Sequence, residues 1–189
     1  MNNLFKTDIF TEFELEDLKQ KEIELRYELL IDSKNNDKLE DLAIVLYHKR
    51  DYDGAIELYE KVIERDQDRL AEKYAFLGYL HFENDNYQDA IELFEKSLDL
   101  NPYPFVFFLL GNAYSRIGEV IKAVKNYDLA IFMNFDIYQA HLNFAKRYET
   151  INRFRRALKE YTIAYEIDPR NKEIKSKIDE IKEKLKNKS

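Results

Sequence analysis

The chain has 189 residues, of which 35% are charged and 45% hydrophobic, with four Gly, three Pro and no Cys. So few turn-forming residues argue against an all-β sandwich and against a Gly-rich phosphate-binding fold. The lack of Cys excludes disulfides, thiolate nucleophiles and Cys-based zinc sites within this chain, and a net charge of -7 argues against nucleic-acid binding. The longest apolar run has eight residues, far below the roughly 20 of a membrane span, so we expect no membrane insertion.

The first 35 residues lie ahead of a repeated pattern. Their opening, MNNLFKTDIF, has no continuous apolar stretch of the kind that secretory signals need, so we expect a cytoplasmic protein. The apolar spacing that follows predicts a helix over residues 11–31, which lacks the small residues of the repeats. We therefore interpret residues 1–35 as an N-terminal segment and a cap helix.

Four stretches of the chain, starting at Asp51, Asn86, Glu119 and Arg153, align without gaps. An Ala recurs in them at separations of 35, 33 and 34 residues; a second small residue lies twelve positions earlier, and an aromatic lies four positions later. The small residues are Ala43, Gly78, Gly111 and Ala145 in one column and Ala55, Ala90, Ala123 and Ala157 in the other. We predict that they pack where helices cross, because axes about 8–10 Å apart leave no room for two bulky side chains.

Each repeat is predicted to be a pair of antiparallel helices. Turn and N-cap residues separate the two helices, and Pro102 and Pro169 stop the second helix of their repeats. The turn residues are Asp51, Asp85, Asn86, Gly118 and Asn152. The predicted repeats cover residues 36–70, 71–103, 104–137 and 138–171, and an amphipathic cap helix occupies residues 172–189.

This pattern of small residues, aromatics and Pro resembles that of the tetratricopeptide repeat family. The signature Trp of that family is absent, and its place is taken by Leu39, Tyr74, Phe107 and His141. The resemblance implies an all-α fold, a right-handed α-solenoid of four helical hairpins with N- and C-terminal cap helices. It also implies a non-enzymatic protein-interaction module, an adaptor, scaffold or chaperone-like protein, that binds a peptide on the concave face lined by the first helices.

We call the residues predicted for that face the predicted groove. They are Tyr47, His48, Tyr79, Phe82, Phe105, Phe108, Asn112, Arg116, Asn143 and Lys146. Four rings, which we call the aromatic row, are expected to form an exposed apolar patch: Tyr79, Phe82, Phe105 and Phe108. Asn112 and Asn143 could hydrogen-bond the backbone of an extended peptide, and Arg116 and Lys146 could meet a carboxylate. The alternative is that some rings pack between repeats.

Two other functions stay open at this stage. The apolar residues Leu4, Phe5, Ile9 and Phe10 could dock in the groove of their own or a neighbouring chain, which makes a homo-oligomer possible. An enzyme that uses scattered acidic residues is the third class, although no phosphate-binding, metalloprotease or nucleophile motif occurs. We expect no enzymatic activity, cofactor or metal, and a partner that is another protein or a peptide.

Overall fold

The computed structural model describes residues 9–11 and 13–187. Within them ten α-helices have defined bounds, residues 9 and 10 are helical, and no β-strand occurs. The helices are α1 (Leu15–Ile31), α2 (Asn36–Lys49), α3 (Tyr52–Arg65), α4 (Leu70–Glu83), α5 (Tyr87–Leu100), α6 (Pro104–Arg116), α7 (Val120–Phe132), α8 (Ile137–Thr150), α9 (Phe154–Ile167) and α10 (Lys172–Lys186). The predicted all-α class is thus confirmed over the described residues. None of these helices is both long and apolar enough to cross a bilayer.

The chain divides into two compact units, Met1–Met133 and Asn134–Ser189. The first unit contains α1 to α7, in which each helix packs on the next and α4 also contacts α6. In the second unit α8 packs on α9, and α9 packs on α10. Packing between sequence neighbours is typical of helical repeats.

Local signals in the sequence explain where many helices begin and end. Four helices have side-chain N-caps: Asn35 before α2, Asp51 before α3, Asp136 before α8 and Asn171 before α10. Each cap accepts a hydrogen bond of 2.8–3.1 Å from a backbone N–H two or three residues ahead, a contact worth about 1 kcal/mol. As predicted, α5 and α9 end two residues before Pro102 and Pro169, because Pro cannot continue a helix.

The turn inside each helix pair contains one residue with a left-handed backbone. These residues are Arg50 (φ 66°), Asp85 (φ 64°), Gly118 (φ 82°) and Asn152 (φ 58°). Their separations are 35, 33 and 34 residues, the same as those of the recurring Ala. Since Arg and Asp adopt a conformation that favours Gly, the turn geometry is imposed by the packing of the helices rather than by residue type.

Small residues face aromatic rings where the paired helices cross. A Cβ atom on Gly78 would lie 2.9 Å from the Phe94 ring, and one on Gly111 would lie 2.6 Å from the Tyr127 ring. The Ala residues of the two columns are buried, with 0–3% exposed: Ala43, Ala55, Ala90, Ala123, Ala145 and Ala157. The helices therefore approach closely because one partner carries almost no side chain.

Helix α1 begins at Leu15, four residues later than the sequence predicts. Its residues Leu18 and Leu25 are buried, and it packs on α2. The Glu22 carboxylate pairs with the Lys49 ammonium, and this hydrogen bond holds the pKa of Glu22 below its usual range. Helix α1 is therefore fixed to α2 by two Leu side chains and an ion pair.

Helix α10 belongs to the second unit. Its apolar side chains Ile174, Ile178 and Ile181 are buried, and the helix packs on α9. Leu185 continues the same stripe and is half-buried. The charged residues occupy the rest of the surface, which suits a helix with one apolar face.

We predict that Gly111→Ala lowers the free energy of unfolding by about 1–3 kcal/mol, because the added methyl group displaces the Tyr127 ring. The intrinsic helix preference of Ala offsets up to about 1 kcal/mol of that loss. Urea denaturation measures the change. As a control, Ser115→Ala on the same helix should change stability by less than about 0.5 kcal/mol; equal effects of the two variants would contradict the close packing.

We predict that Glu22→Gln destabilises the protein by about 1 kcal/mol at pH 7. The pKa of Glu22 is lower in the folded than in the unfolded chain, so its contribution is present above the unfolded value of 4.5 and is lost as pH falls through the folded value. The difference between variant and wild type should therefore shrink as pH falls below 4.5. Urea titrations at several pH values test this, and a constant difference would be the contrary result.

Candidate functional site

The aromatic row lies on α4 and α6 of the first unit. Its four side chains, Tyr79, Phe82, Phe105 and Phe108, are buried, with 0–3% of their surface exposed. The prediction of an exposed apolar patch is therefore wrong. The spacing of the rings indicated which helix face carries them, but it could not show what lies over that face.

The rings contact one another and neighbouring aromatic side chains. Phe105 stacks on Phe108 with centroids 6.3 Å apart and planes at 12°, and Phe108 lies 6.2 Å from Tyr127. Phe82 contacts the edge of Tyr87 at 5.5 Å. Such pairs add about 0.5–1.5 kcal/mol beyond the burial of their area. The alternative interpretation, in which rings pack within the array, therefore applies to much of the row.

Two residues near the end of α2, Tyr47 and His48, lie beside the row. The hydroxyl groups of Tyr47 and Tyr79 hydrogen-bond at 3.0 Å, and both side chains are buried. The half-buried His48 ring lies 4.9 Å from Tyr47 and 4.7 Å from Phe13, which belongs to the non-helical stretch before α1. Near that stretch, Ile9 is completely buried. Phe13, which is 42% exposed, thus contacts one residue of the predicted groove.

The two polar residues predicted on α6 are engaged with their own unit. The Tyr127 hydroxyl donates a 2.8 Å hydrogen bond to Oδ1 of Asn112, which is buried. The half-buried Arg116 places its guanidinium 5.8 Å from the centre of the Phe82 ring. This cation–π contact lies over the Phe82 ring of the aromatic row. Asn112 therefore contributes to helix packing through its carbonyl group.

Asn143 and Lys146, on α8, belong to the second unit, and both are exposed. The Gln139 amide donates a 2.8 Å hydrogen bond to Oδ1 of Asn143. One turn further on, the Glu149 carboxylate accepts hydrogen bonds of 2.9 Å from the Tyr161 hydroxyl and from Lys177 of α10. Burial and this hydrogen bond raise the pKa of Tyr161. The Glu149 carboxylate therefore ties the three helices of this unit together.

A charged cleft, which was not predicted from the sequence, lies between α2 and α4. Lys73 is 1% exposed, and its ammonium pairs with the Asp66 carboxylate and donates a 3.1 Å hydrogen bond to the Asp66 carbonyl. Glu40 lies 4.0 Å from Lys73 and 3.6 Å from Arg69, and burial raises the pKa of Glu40. A buried Lys is rare unless it is paired. The cluster has opposite charges in contact, which suits a structural role.

The three His residues have different surroundings. His141 is buried and its Nδ1 lies 2.7 Å from a Glu160 carboxylate oxygen, as expected for a core position. His81 is half-buried, and burial lowers its pKa. Across residues 9–11 and 13–187, no three His, Asp or Glu side chains converge in a way that could hold a metal ion.

Three solved structures illustrate what this fold is similar to. MamA is 24% identical over 92% of this chain and 96% of its own, with a TM-score of 0.61. Pseudomonas aeruginosa PilF is 22% identical over 83% and 72% of the two chains, with a TM-score of 0.56. YrrB, described as a tetratricopeptide repeat protein with an unusual peptide-binding site, is 18% identical over 86% and 84%, with a TM-score of 0.54.

A family model identifies part of the chain directly. Residues 36–102, which span α2 to α5, match a model of the tetratricopeptide repeat. The match covers the first two predicted repeats, with their small columns and left-handed turns. Residues 36–102 are therefore tetratricopeptide repeats, and the resemblance to that family predicted from the sequence is confirmed.

Proposed function

We propose that this protein is a non-enzymatic interaction module, an adaptor, scaffold or chaperone-like protein, that binds an extended and partly apolar peptide segment in the part of the predicted groove that lies in the first unit. One observation carries the proposal: the Phe13 ring, from a non-helical stretch of the chain, lies 4.7 Å from His48 of that groove. A contact between an aromatic side chain of a non-helical segment and the first helix of a repeat is the kind of contact that such a partner would make.

The chemistry of the groove suits an apolar and aromatic partner. Its residues in the first unit are mostly aromatic: the rings of the aromatic row are buried, the His48 ring is half-buried, and Arg116 lies beside Phe82 as the cation. Burial of about four apolar side chains of a partner contributes roughly 1.5–3 kcal/mol each, and ordering the peptide costs about 2–5 kcal/mol. After further association costs the balance fits at best roughly micromolar affinity, which suits a reversible adaptor.

A second candidate is self-masking or self-association through the N-terminal segment. The complete burial of Ile9 and the contact of Phe13 with His48 favour it. Of the four apolar residues on which the prediction rests, Leu4 and Phe5 lie outside the described residues. In this form of the proposal the segment occupies the groove of its own chain or of a neighbour until a partner of similar chemistry displaces it.

The remaining expectations are part of the proposal. The partner is another protein or a peptide rather than nucleic acid, since the net charge is -7. The peptide-binding site of YrrB is a property of that protein, and it supports the proposal by showing that a chain of similar fold binds peptides. A cytoplasmic location, the absence of a cofactor, and the count of four hairpins between two cap helices stay predictions.

We predict that a variant lacking residues 1–13 binds a labelled peptide of sequence MNNLFKTDIFTEF with a dissociation constant in the micromolar range, roughly 1–100 μM. The full-length chain should bind the same peptide at least about tenfold more weakly, because its own segment competes. Fluorescence anisotropy measures both affinities, and circular dichroism first confirms that the variant is folded. A control peptide carries Ser in place of Leu4, Phe5, Ile9 and Phe10 and should not bind.

The two candidates fail in different ways. If the shortened chain selects apolar peptides from a random library but not its own segment, self-masking is wrong and the interaction module stands. If it selects no peptide at all, the groove does not bind peptides. Light scattering separates docking within one chain from docking between chains. A fall in mass on removal of residues 1–10 indicates that the segment docks in a neighbouring chain.

We predict that His48→Ala in the shortened chain weakens peptide binding about three- to thirtyfold, because the edge contact with the Phe13 ring is lost. His81→Ala is the control, since His81 is a half-buried His near the end of α4 and outside the predicted groove. Equal losses in the two variants would contradict a contact at His48.

A further inference from the structure

Helix α1 presents an apolar stripe on its outer side. The stripe consists of Ile23, Tyr27, Leu30 and Ile31, whose surfaces are 64–84% exposed. Positions four, seven and eight residues apart share one face of a helix. Scattered exposed apolar residues are common in proteins, but a run of four on one helical face marks an interaction site.

The stripe points away from the rest of the unit. At 3.6 residues per turn it lies nearly opposite the side that carries the buried Leu18 and Leu25. The pair of Glu22 with Lys49 and the 2.9 Å pair of Glu28 with Lys38 hold α1 against α2. Helix α1 is therefore apolar on two sides, and its packing on α2 accounts for one of them.

We propose that the α1 stripe is a dimer interface, in which α1 of a second copy of this chain packs parallel to it about a two-fold axis. Ile23, Tyr27 and Leu30 follow the alternating spacing of four and three residues that forms the seam of a two-stranded coiled coil. The same four residues from each copy bury one another. Each copy has one α1 helix, so a two-fold pair uses both helices and the assembly stops at a dimer.

The charges beside the stripe select the second copy and its orientation. Lys19 lies along one edge of the stripe, where it pairs with Glu16 of the same helix, and Glu24 lies along the other, where it accepts a hydrogen bond from Gln20. In a parallel two-fold pair, opposite edges meet, so basic side chains face acidic ones. Lys19 then lies beside Glu24 of the second copy, five positions further on, which is the spacing of ion pairs across parallel coiled coils. An antiparallel pair would bring like charges together.

A lipid surface fits the stripe less well. Helix α1 carries five acidic and three basic residues, whereas helices that lie on anionic membranes are rich in Lys and Arg. The interface also does not depend on the predicted groove. The dimer and the peptide-binding function can therefore fail separately.

Sedimentation equilibrium of the full chain tests the dimer. We expect a concentration-dependent mass that approaches twice the 22.8 kDa of one chain. The variant Ile23→Glu/Leu30→Glu should reduce the mass to that of one chain while circular dichroism stays unchanged. Ile121→Glu, at a residue of α7 that is 87% exposed, is the matched control and should leave the dimer intact. Removal of residues 1–10 should leave it intact as well.

Charge exchange tests the orientation. Glu24→Lys should weaken the dimer by roughly fivefold, and Lys19→Glu/Glu24→Lys should restore it, because the pair across the interface is re-formed with its charges reversed. A chain that stays monomeric at millimolar concentration, or a dimer that survives the two Glu substitutions in the stripe, would overturn the proposal. A double charge exchange without recovery would overturn the parallel arrangement.

Discussion

The fold depends on one constraint, the contact of a small residue on the first helix of a pair with a large ring on the second. At Gly111 the space for even a single methyl group is already taken by Tyr127, and at Gly78 it is taken by Phe94. Close approach of the two helices leaves the remaining aromatic side chains to fill the volume beside the crossing. The left-handed turns then follow, because the chain must reverse within a few residues at each of these crossings.

The same constraint explains which parts of the structure were predictable from the sequence. The spacing of the small residues marked the helix pairs, and Pro102 and Pro169 marked two helix ends, because each of these effects is local. The burial of Phe105 and Phe108 was not predictable, since a pattern of apolar residues identifies a face but not what covers it.

Two further features were not predicted from the sequence. The late start of α1 was missed because Thr11 and Phe13 fit a helical pattern as well as they fit a non-helical one. The buried Lys73 was missed because its partner Asp66 lies seven residues away, outside the spacings of helical ion pairs.

The N-terminal part of the chain contributes buried side chains to the first unit. Ile9 and Phe13 bring apolar side chains against the first unit, and α1 then covers α2 with Leu18 and Leu25. Each helix of the first unit likewise packs on the next one along the chain, as in other helical repeats. The exposed stripe on the outer side of α1 takes no part in that packing.

The central claim is that the predicted groove holds a segment with the chemistry of its partner, and that the chain supplies such a segment itself. Hydrogen exchange of the full chain and of the variant lacking residues 1–13 tests it most directly. The structure predicts faster exchange of amides near His48 and in α4 and α6 when the segment is removed, and recovery of slow exchange when the peptide MNNLFKTDIFTEF is added. Identical exchange in the two chains, or acceleration confined to α1, would contradict the claim.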